Sequence, residues 1–515
     1  MLDLGTSFVG SVARDPDALA IVDEGVRLTY AQWYARISSL VASLDRIGLK
    51  SGDHLVTVLQ NCEAAATLHW ACQLAGIVIT PVNWRAKADE LDFCIENSGS
   101  RAVVYQDVFA PAVDESKRAQ ALPRICAGSG DIAGAISFET MVAEPAAEAT
   151  PRVNAEAWSI MLYTSGTTSR PKGVPRRHRA ERAAGIAHVA QNLYRYGERT
   201  LGVMPLYHTM GVRSLIAMSL IGGTFVCLPR YDPGRALALI GSERITNLYL
   251  VPTLYHDLVH AEQFAVADVS SVRKLGFAGA SMTDGLLKTL NDAFQPDLFV
   301  NHYGSSEIYT FTIDQNAAAK PGSAGRAGIN QQIKVVRLNA KSTAEAARPN
   351  EEGEIIALLA GDESFEGYWR RPDADAKSIR DGWYFTGDTG FLDADGDLFV
   401  TGRVDDMIIT GGENVSPVEI ESCLSLHPAV LEVAVVGLAD EKWGQIVTAF
   451  VKRKSLVNEQ DLERFCRSSG LANFKRPRRF VFVEALPKSP VGKLLRRLLI
   501  AGDYQREHAP PSTAV

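Results

Sequence analysis

Hydrophobic and polar residues follow two regular patterns along most of the chain, one typical of helices and one typical of buried strands. Between Ala31 and Ile47, apolar residues recur every three or four positions, which predicts a helix, and Thr29 precedes it as a candidate N-cap. Short apolar runs predict strands at 28–30, 55–59, 77–81, 102–105, 158–162, 203–208, 224–228, 247–251, 275–278 and 298–303, and further helices are predicted at 64–76, 180–193, 233–242 and 284–294. This alternation predicts a parallel α/β sheet.

Two regions depart from this alternation. Residues 106–156 are irregular and rich in Ala, Pro and Glu, so we predict a surface connection there. Near residue 400 the pattern changes: strands are predicted at 397–401, 430–437, 446–452 and 479–483, and helices at 417–426 and 459–468. The sequence beyond this point therefore predicts a compact α+β unit of about 110 residues, the size of a small domain.

Composition and charge exclude several classes of protein. The chain has 515 residues, a net charge of −7 and 46% hydrophobic residues, which argues against nucleic-acid binding. Its seven cysteines are scattered without CxxC pairs, which argues against a disulfide framework or a zinc site. No signal peptide is evident, and no run reaches the roughly 20 apolar residues that a membrane helix needs. We expect a cytoplasmic protein that binds neither membrane nor nucleic acid.

One local basic cluster needs an explanation. It consists of Arg176, Arg177, His178, Arg179 and Arg182. We expect a solvated helix face rather than a nucleic-acid site, and a position near nucleotide or CoA phosphates is the remaining alternative.

Residues Tyr163 to Val174 combine five Ser and Thr side chains, two glycines and one lysine directly after a predicted strand. Backbone N–H groups that turn at Gly166, together with the hydroxyls and Lys172, are suited to binding phosphate. The segment differs from the Walker phosphate loop because its lysine precedes the last glycine and Val174 follows. The alternative is a surface turn, but the preceding strand and the Pro-Lys-Gly sequence favour an anion-binding loop.

A second polar motif, Asn301 to Glu307, contains an aromatic ring beside a glycine, which suits close approach to adenine. Ser306 offers a hydroxyl to phosphate, and the Glu307 carboxylate is a ligand that Mg²⁺ prefers. Taken alone, this motif fits an ordinary strand-to-loop transition equally well.

Three further residues carry charges that suit a nucleotide. Asp388 follows Thr-Gly and can accept ribose hydroxyls, Arg403 suits ribose or phosphate, and Lys493 follows a Pro-Val-Gly loop. Each residue alone fits an ordinary protein surface. Their order along the chain, after the first two motifs, favours a nucleotide site.

These ordered motifs resemble the signatures of the adenylate-forming enzymes, which include acyl-CoA synthetases, luciferases and peptide-synthetase adenylation domains. The sequences at 277–282, 402–414, 437–445 and 474–477 are similar to those of the aryl- and heteroaryl-acid CoA ligases, such as the chlorobenzoate and furoate ligases. Ser169 stands where the family usually has Gly, and Ser306 replaces its Thr conservatively.

The resemblance implies an α/β fold with two domains. A large N-terminal domain at 1–402, built from stacked αβ layers with a distorted barrel, would hold ATP and the acyl acid. A hinge at 403–407, with Asp405 at its centre, would join it to a small mobile α+β C-terminal domain at 408–515.

The resemblance also implies a role for each matching residue. The catalytic residues would be Lys493, Glu307, Thr168 and His208, with Glu307 as the metal ligand. The nucleotide would contact Thr164, Ser165, Gly166, Thr167, Thr168, Ser169, Lys172, Gly279, Ala280, Ser281, Asn301, His302, Tyr303, Gly304, Ser305, Ser306, Asp388, Arg403 and Lys493. The acyl pocket would contain His208, Val251, Gly279, Ala280, His302, Gly304, Ile308 and Tyr309, and CoA would contact Arg85, Gly411, Gly412, Glu413, Trp443, Lys475, Arg476 and Arg478.

The implied function is an ATP-dependent carboxylic acid:CoA ligase that uses Mg²⁺ and CoA. The polar rings of His302 and Tyr309 favour a small aromatic or heteroaromatic acid, such as furoate or benzoate. The alternatives are a medium-chain or alicyclic acid ligase, an adenylation enzyme that loads a carrier protein, and a non-catalytic nucleotide-binding protein. Both a monomer and a homodimer are compatible with the sequence.

Overall fold

The computed structural model describes residues 1–128, 132–164, 171–338, 340, 342–488 and 494–507, without the side chains of residues 405 and 414. The helices are α1 (Leu4–Arg14), α2 (Tyr30–Arg46), α3 (Glu63–Ala75), α4 (Ala88–Ser98), α5 (Ala110–Glu115), α6 (Lys117–Gln120), α7 (Phe138–Ala143), α8 (His178–Gln191), α9 (Thr209–Leu220), α10 (Pro233–Ser242), α11 (Pro252–Val259), α12 (Asp284–Phe294), α13 (Pro372–Ser378), α14 (Pro417–Ser425), α15 (Glu459–Ser468) and α16 (Arg496–Ala501). Among these described residues, no helix is long and apolar enough to cross a membrane.

The strands of the larger, N-terminal part are β1 (Leu19–Asp23), β2 (Val26–Thr29), β3 (His54–Val58), β4 (Val78–Pro81), β5 (Ala102–Gln106), β6 (Arg124–Ala127), β7 (Ile136–Ser137), β8 (Trp158–Thr164), β9 (Lys172–Arg177), β10 (Arg199–Gly202), β11 (Thr224–Cys227), β12 (Asn247–Leu250), β13 (Lys274–Ala278), β14 (Leu298–Tyr303), β15 (Thr312–Asp314), β16 (Ser323–Ala327), β17 (Ile333–Arg337), β18 (Gly353–Leu358), β19 (Ile379–Arg380), β20 (Trp383–Leu392) and β21 (Leu398–Arg403). The C-terminal strands are β22 (Ile408–Thr410), β23 (Glu413–Val415), β24 (Val430–Asp440), β25 (Gly444–Arg453) and β26 (Arg479–Phe482).

Three sheets organise these strands. The first has the order β7-β6-β5-β3-β4-β8-β9, and its strands are parallel except for the antiparallel β8–β9 pair. The longest sheet has the order β17-β18-β20-β21-β16-β15-β14-β13-β12-β10-β11-β1-β2, and β10 to β14 form its parallel centre. The third sheet, β23-β22-β25-β24 with β26 beside β25, belongs to the C-terminal part. The predicted α/β class, with a large N-terminal part and a smaller C-terminal part, is confirmed.

Local sequence explains why the predicted helices form. Thr29 caps α2 in a reciprocal capping box, because Thr29 Oγ1 accepts from the Gln32 N–H and Gln32 Oε1 accepts from the Thr29 N–H. Helix α3 ends at Gly76, whose φ of 72° suits glycine. Helices α2 and α3 both pack against α1, and the ring centroids of Phe8 on α1 and Trp70 on α3 lie 4.6 Å apart in a stacked arrangement. These contacts hold one of the main apolar cores between the first and longest sheets.

Two predictions of secondary structure are wrong. The predicted strand at 203–208 is a loop: β10 ends at Gly202, and α9 begins at Thr209. The apolar residues there are buried as loop side chains, and Pro205 has no N–H for a strand ladder. The predicted irregular connection at 106–156 contains α5, α6, β6, β7 and α7, because its short apolar runs pair with β5 and pack on α2.

The C-terminal part packs on the N-terminal part through α14, which contacts α12 and β21. The Ser416 hydroxyl donates to the Thr401 carbonyl across this junction. The short helical turn Val404–Asp406, which contains the predicted hinge residue Asp405, connects β21 to β22.

Candidate active site

The end of β14 brings an aromatic residue to two charged residues from distant parts of the sequence. The Tyr303 hydroxyl donates to Asp388 Oδ2 over 2.6 Å. Arg403 Nη1 lies 3.1 Å from Asp388 Oδ1, because Asp388 on β20 is directly opposite Arg403 on β21. Burial and the neighbouring carboxylate raise the pKa of Tyr303 well above its ordinary value, so the phenol remains a neutral donor.

A second cluster forms around the buried carboxylate of Glu307. The Tyr368 hydroxyl donates to Glu307 Oε1 over 2.6 Å, and Lys172 Nζ lies 4.0 Å from the centroid of the Tyr368 ring. Burial lowers the pKa of Lys172 below its ordinary value, and the negative charge of Glu307 opposes this shift. The structure thus brings Lys172 and Glu307, predicted from motifs far apart in sequence, to one place.

The Glu307 carboxylate also fits the divalent cation that the family resemblance implies. It offers oxygen ligands of the kind that Mg²⁺ prefers, within a cluster that already contains a lysine suited to phosphate. Glu307 lies in the loop that follows β14, four residues beyond Tyr303.

Arg176 supports the backbone of the loop that carries Glu307. Its guanidinium is fully buried and donates to the Glu307 carbonyl over 3.1 Å and to the Glu363 carbonyl over 2.9 Å. It forms an ion pair with Glu181 and lies 3.8 Å from the centroid of the Tyr309 ring. Arg176 therefore positions this loop by donating a hydrogen bond to the main-chain carbonyl of Glu307.

The expectation that the basic cluster is a solvated helix face is wrong. Arg177 and Arg179 both pair with Glu366, at 2.6 and 2.9 Å. His178 is buried and accepts from the Leu4 N–H, and Arg182 donates to Ser7 Oγ over 2.8 Å. These side chains bind other parts of the protein because the end of β9 and the start of α8 pack against neighbouring segments.

The strands on either side of the predicted phosphate loop, β8 and β9, pair antiparallel, with Thr164 opposite Lys172. Ser165, Gly166, Thr167, Thr168 and Ser169 lie outside the described residues, and so does Lys493. The pairing of β8 with β9 nevertheless places Lys172 in the Glu307 cluster.

The predicted acyl residues divide between a surface edge and the interior. Gly279 and Ala280 are exposed after β13, as is Ser281, which was predicted to contact the nucleotide, and Gly279 has a φ of 82°. Val251, His302, Ile308 and Tyr309 are buried, and the Tyr309 hydroxyl donates to Glu181 Oε2 over 3.1 Å. A Cβ on Gly304 would clash with the Tyr309 carbonyl, so this turn requires glycine.

Hydrogen bonds to the main chain hold three further predicted residues, which are His208, Asn301 and Ser305. His208 is the N-cap of α9, where its Nδ1 accepts from the Met210 N–H over 3.3 Å. Asn301 Nδ2 donates to the Ser323 carbonyl over 2.7 Å, which joins β14 to β16. Ser305 Oγ accepts from the Glu307 N–H over 3.2 Å and shapes the loop that also contains Ser306.

Only part of the predicted CoA set comes together. The Gly411 N–H donates to the Trp443 carbonyl over 2.9 Å, and the Arg478 guanidinium carbon lies 4.2 Å from the Trp443 ring centroid. Gly412 and Glu413 continue this turn into β23. Lys475 pairs with Glu419 at 2.7 Å, Arg476 donates to the Leu471 carbonyl, and Arg85 lies over Trp84 in the N-terminal part.

Sequence motifs missed a group of buried polar residues beside His302. It consists of His188 on α8, Asn192 at the C-cap of that helix, Arg213 on α9, and Tyr249 on β12. His188 and Asn192 lie four positions apart on one helix face, which is the one signal that the sequence offers.

Comparison with known proteins identifies the family. Residues 8–369 match the family model for AMP-binding enzymes, and residues 419–493 match that for the AMP-binding enzyme C-terminal domain. The chain belongs to the AMP-binding enzyme family. The predicted resemblance to adenylate-forming enzymes is confirmed.

Individual members of the AMP-binding enzyme family are similar to this chain over nearly their whole length. The 4-chlorobenzoate–CoA ligase of an Arthrobacter species is 34% identical, over 97% of this chain and 94% of that protein. The long-chain-fatty-acid–CoA ligase FadD13 of Mycobacterium tuberculosis is 33% identical, over 92% of this chain and 93% of that protein. The solved structure of the anthranilate CoA ligase AuaEII with anthranoyl-AMP has a TM-score of 0.90 and 25% identity, over 97% of each chain.

These relatives establish the reaction type of this AMP-binding enzyme. It is an acyl-CoA ligase that forms an acyl-adenylate from ATP and an acid and then uses CoA. The predicted class of acid–thiol ligase is therefore confirmed.

Proposed function

We propose that this ligase activates a small aromatic or heteroaromatic acid of the furoate or benzoate type. The observation that carries the proposal is the ring-lined, polar environment of His302, which lies one residue before Tyr303 on β14. Neighbouring side chains in a strand point to opposite faces, so the face bearing Tyr303 and Asp388 would serve the nucleotide, and the face bearing His302 would serve the acid.

In the first half-reaction, the acid carboxylate attacks the α-phosphate of ATP and releases pyrophosphate. Positioned charges dominate such a transfer. Lys172 would bind phosphate, Asp388 would bind ribose hydroxyls, and Arg403 would hold the Asp388 carboxylate in place. Lys493 and Thr168 keep their predicted roles at the reacting carboxylate and phosphate.

Glu307 would hold Mg²⁺, which supplies neutralisation of phosphate charge when bound. Tyr368 orients one carboxylate oxygen of Glu307, and Arg176 fixes the loop from beneath. These contacts are made by the protein's own residues and support a preformed site.

In the second half-reaction, the CoA thiolate attacks the acyl carbonyl, and AMP leaves. We propose that the C-terminal part, 408–515, turns at the 403–407 hinge around Asp405 and exchanges Lys493 for the Gly411–Glu413 turn. The contact of Gly411 with Trp443, together with Arg478 on the same ring, supports this turn as the CoA-binding segment.

Two related functions compete with this proposal. The similarity to a fatty-acid ligase favours a longer or alicyclic acid, and a carrier-loading enzyme would form the same adenylate without using free CoA. Against a long acyl chain, the rings that contact His302 are those of His188 and Tyr249, which both carry polar groups.

Pyrophosphate release over a panel of acids, with and without CoA, tests the proposed function. The panel contains furoate, benzoate, 4-chlorobenzoate, cyclohexanecarboxylate, hexanoate and palmitate. We expect release with furoate or benzoate, which CoA converts to multiple turnovers. Greater activity on palmitate would contradict the proposal, and release that CoA never accelerates would favour the carrier-loading alternative.

A further inference from the structure

Three aromatic rings form a buried cluster on the face of β14 opposite Tyr303. The His188 and His302 ring centroids lie 5.2 Å apart, and the Tyr249 ring lies 4.7 Å from His188 and 5.2 Å from His302. Each of these residues is at most 2% exposed. The cluster therefore contains two imidazoles removed from bulk water.

Asn192 fixes the tautomer of the His188 imidazole. Its amide nitrogen, Nδ2, donates to the His188 carbonyl over 2.8 Å and lies 3.0 Å from His188 Nδ1 and 3.1 Å from His302 Nε2. Because an amide nitrogen is only a donor, the lone pair of neutral His188 faces it from Nδ1, and the proton of His188 lies on Nε2. Asn192 Oδ1 also lies 3.3 Å from His302 Nε2, so the same amide can serve either tautomer of His302.

His188 Nε2 and His302 Nδ1 are both buried, and neither nitrogen has a hydrogen-bond partner among the described residues. The imidazoles stay neutral, because burial and the nearby Arg213 guanidinium lower the pKa of each well below its ordinary value. A buried N–H without a partner is costly and uncommon in folded proteins. The His188 N–H therefore calls for an acceptor that the protein itself does not supply.

The Arg213 side chain closes the other side of the cluster. Its guanidinium donates to Thr310 Oγ1 over 2.8 Å and to the hydroxyl of Tyr249. Tyr249 is thereby held with its ring against both imidazoles. Arg213 thus orients the cluster and contributes the positive charge that keeps the histidines unprotonated.

The cluster adjoins the proposed acyl site. His302 is directly opposite Ala278 in the β13–β14 pair, and Ala278 precedes Gly279. Tyr249 packs in one apolar group with Val251 and Ala278. An acid bound beside Gly279, with its carboxylate toward the nucleotide, would extend its ring toward this cluster.

We propose that His188 determines specificity by donating its Nε2–H to a hydrogen-bond acceptor on the acyl group, such as a ring oxygen or ring nitrogen. The proposal rests on the proposed function, because it assumes an aromatic or heteroaromatic acid at this site. It narrows the substrate to acids that carry a heteroatom beyond the carboxylate.

Two matched comparisons of substrates test this proposal. One compares furan-2-carboxylate with cyclopent-1-ene-1-carboxylate, which has the same ring size without the oxygen. The other compares the three pyridinecarboxylates with benzoate, so that the ring nitrogen scans three positions. For each acid, kcat/KM is measured by AMP formation with saturating ATP and CoA.

The variants are His188→Leu, which removes both nitrogens at similar volume, and His188→Gln, whose amide can replace the Nε2–H donor. In the unmodified protein, we expect at least one acceptor-bearing acid to exceed its carbon analogue at least tenfold, since a site built to donate rejects an analogue that cannot accept. His188→Leu should reduce this ratio to about one, and His188→Gln should restore a preference of several-fold.

The remaining outcomes would overturn either the role of His188 alone or that role together with the proposed function. Equal kcat/KM for acceptor-bearing acids and their analogues in the unmodified protein, or an unchanged preference in His188→Leu, would overturn the inference while leaving the proposed function intact. Turnover of palmitate but of none of the ring acids would overturn the proposed function and the inference together. If His188→Leu does not fold, His188→Met, whose side chain also lacks a hydrogen-bond donor, replaces it in the same comparison.

Discussion

The Tyr303 hydroxyl donates to the Asp388 carboxylate although the two residues lie 85 positions apart in the sequence. Arg403 approaches the other oxygen of the same carboxylate. A carboxylate has about four lone-pair directions, so it can hold both protein donors and still accept ribose hydroxyls. The pair joins the centre of the longest sheet to the strands that lead into the C-terminal part.

Tyr303→Phe should raise the KM for ATP about tenfold, with little change in kcat. The variant loses a hydrogen bond to a charged group, which is worth about 1.5–3 kcal/mol, and with it the orientation of Asp388. Steady-state kinetics at varied ATP measure the effect. Tyr34→Phe, which removes a hydroxyl that donates to the distant Ala149 carbonyl, is the control. A KM within twofold of the unmodified value would contradict the assigned orientation.

The activity at low ATP should fall on the alkaline side because Lys172 loses its proton there. Burial lowers the pKa of Lys172, so the neutral amine appears at a lower pH than for an exposed lysine. We expect kcat/KM for ATP to fall with rising pH, beginning below the ordinary lysine pKa of about 10.5. Lys172→Arg keeps its charge at these pH values and should shift the fall upward. A profile that stays flat to pH 10 in the unmodified protein would contradict this role.

The sequence predicted elements best where periodicity and caps agree. The predicted helix at 233–242 matches α10, with Asp232 as N-cap and Pro233 in the first turn. The prediction at 203–208 failed because apolar residues in a buried loop resemble a strand when burial is the only signal. Local patterns therefore define elements, but they do not distinguish a buried strand from a buried loop.

The candidate site also contains some residues that the sequence could predict and others that it could not. Glu307, Asp388 and Arg403 stand in short motifs and could be predicted from them. Arg176 could not, because its function depends on the Glu363 carbonyl, 187 positions away in the sequence. His188 likewise has no motif, and its importance follows only from the hydrogen bonds of Asn192.

Arg176→Met should destabilise the protein by about 3–5 kcal/mol, because it leaves the buried carboxylate of Glu181 without its charged partner. The double variant Arg176→Met with Glu181→Gln should recover much of this loss, since the Tyr309 hydroxyl can still donate to the amide oxygen. Urea denaturation followed by tryptophan fluorescence provides the measurement.

Arg177→Met is the matched control for Arg176, because its partner Glu366 is partly exposed. An ion pair of that kind contributes at most about 1 kcal/mol. Equal losses in the two single variants would show that burial of Arg176 has no special importance for the loop that carries Glu307.

Gly411→Ala should raise the KM for CoA about fivefold or more while pyrophosphate exchange with ATP and acid stays within about twofold. The residue has a φ of 59°, and an added Cβ would lie 3.0 Å from the Trp443 ring. Gly412→Ala is the control: it has a φ of 86°, but a Cβ there would meet nothing within 4 Å. Both variants share the backbone strain of a positive φ, so a larger effect at Gly411 isolates the ring contact.

Lys493→Ala should impair adenylate formation and spare thioester formation, which is the opposite of the effect expected for Gly411→Ala. We expect adenylate formation to fall at least about 100-fold, because a positioned charge at the reacting phosphate is lost. Thioester formation from supplied acyl-adenylate and CoA should be largely retained, since we propose that the Gly411–Glu413 turn replaces Lys493 in that step. Lys488→Ala is the control, because Lys488 Nζ lies 2.5 Å from Glu432 within the C-terminal part. Equal loss of both half-reactions in Lys493→Ala would contradict the proposed exchange, because a lysine used only for adenylation cannot limit the attack of CoA.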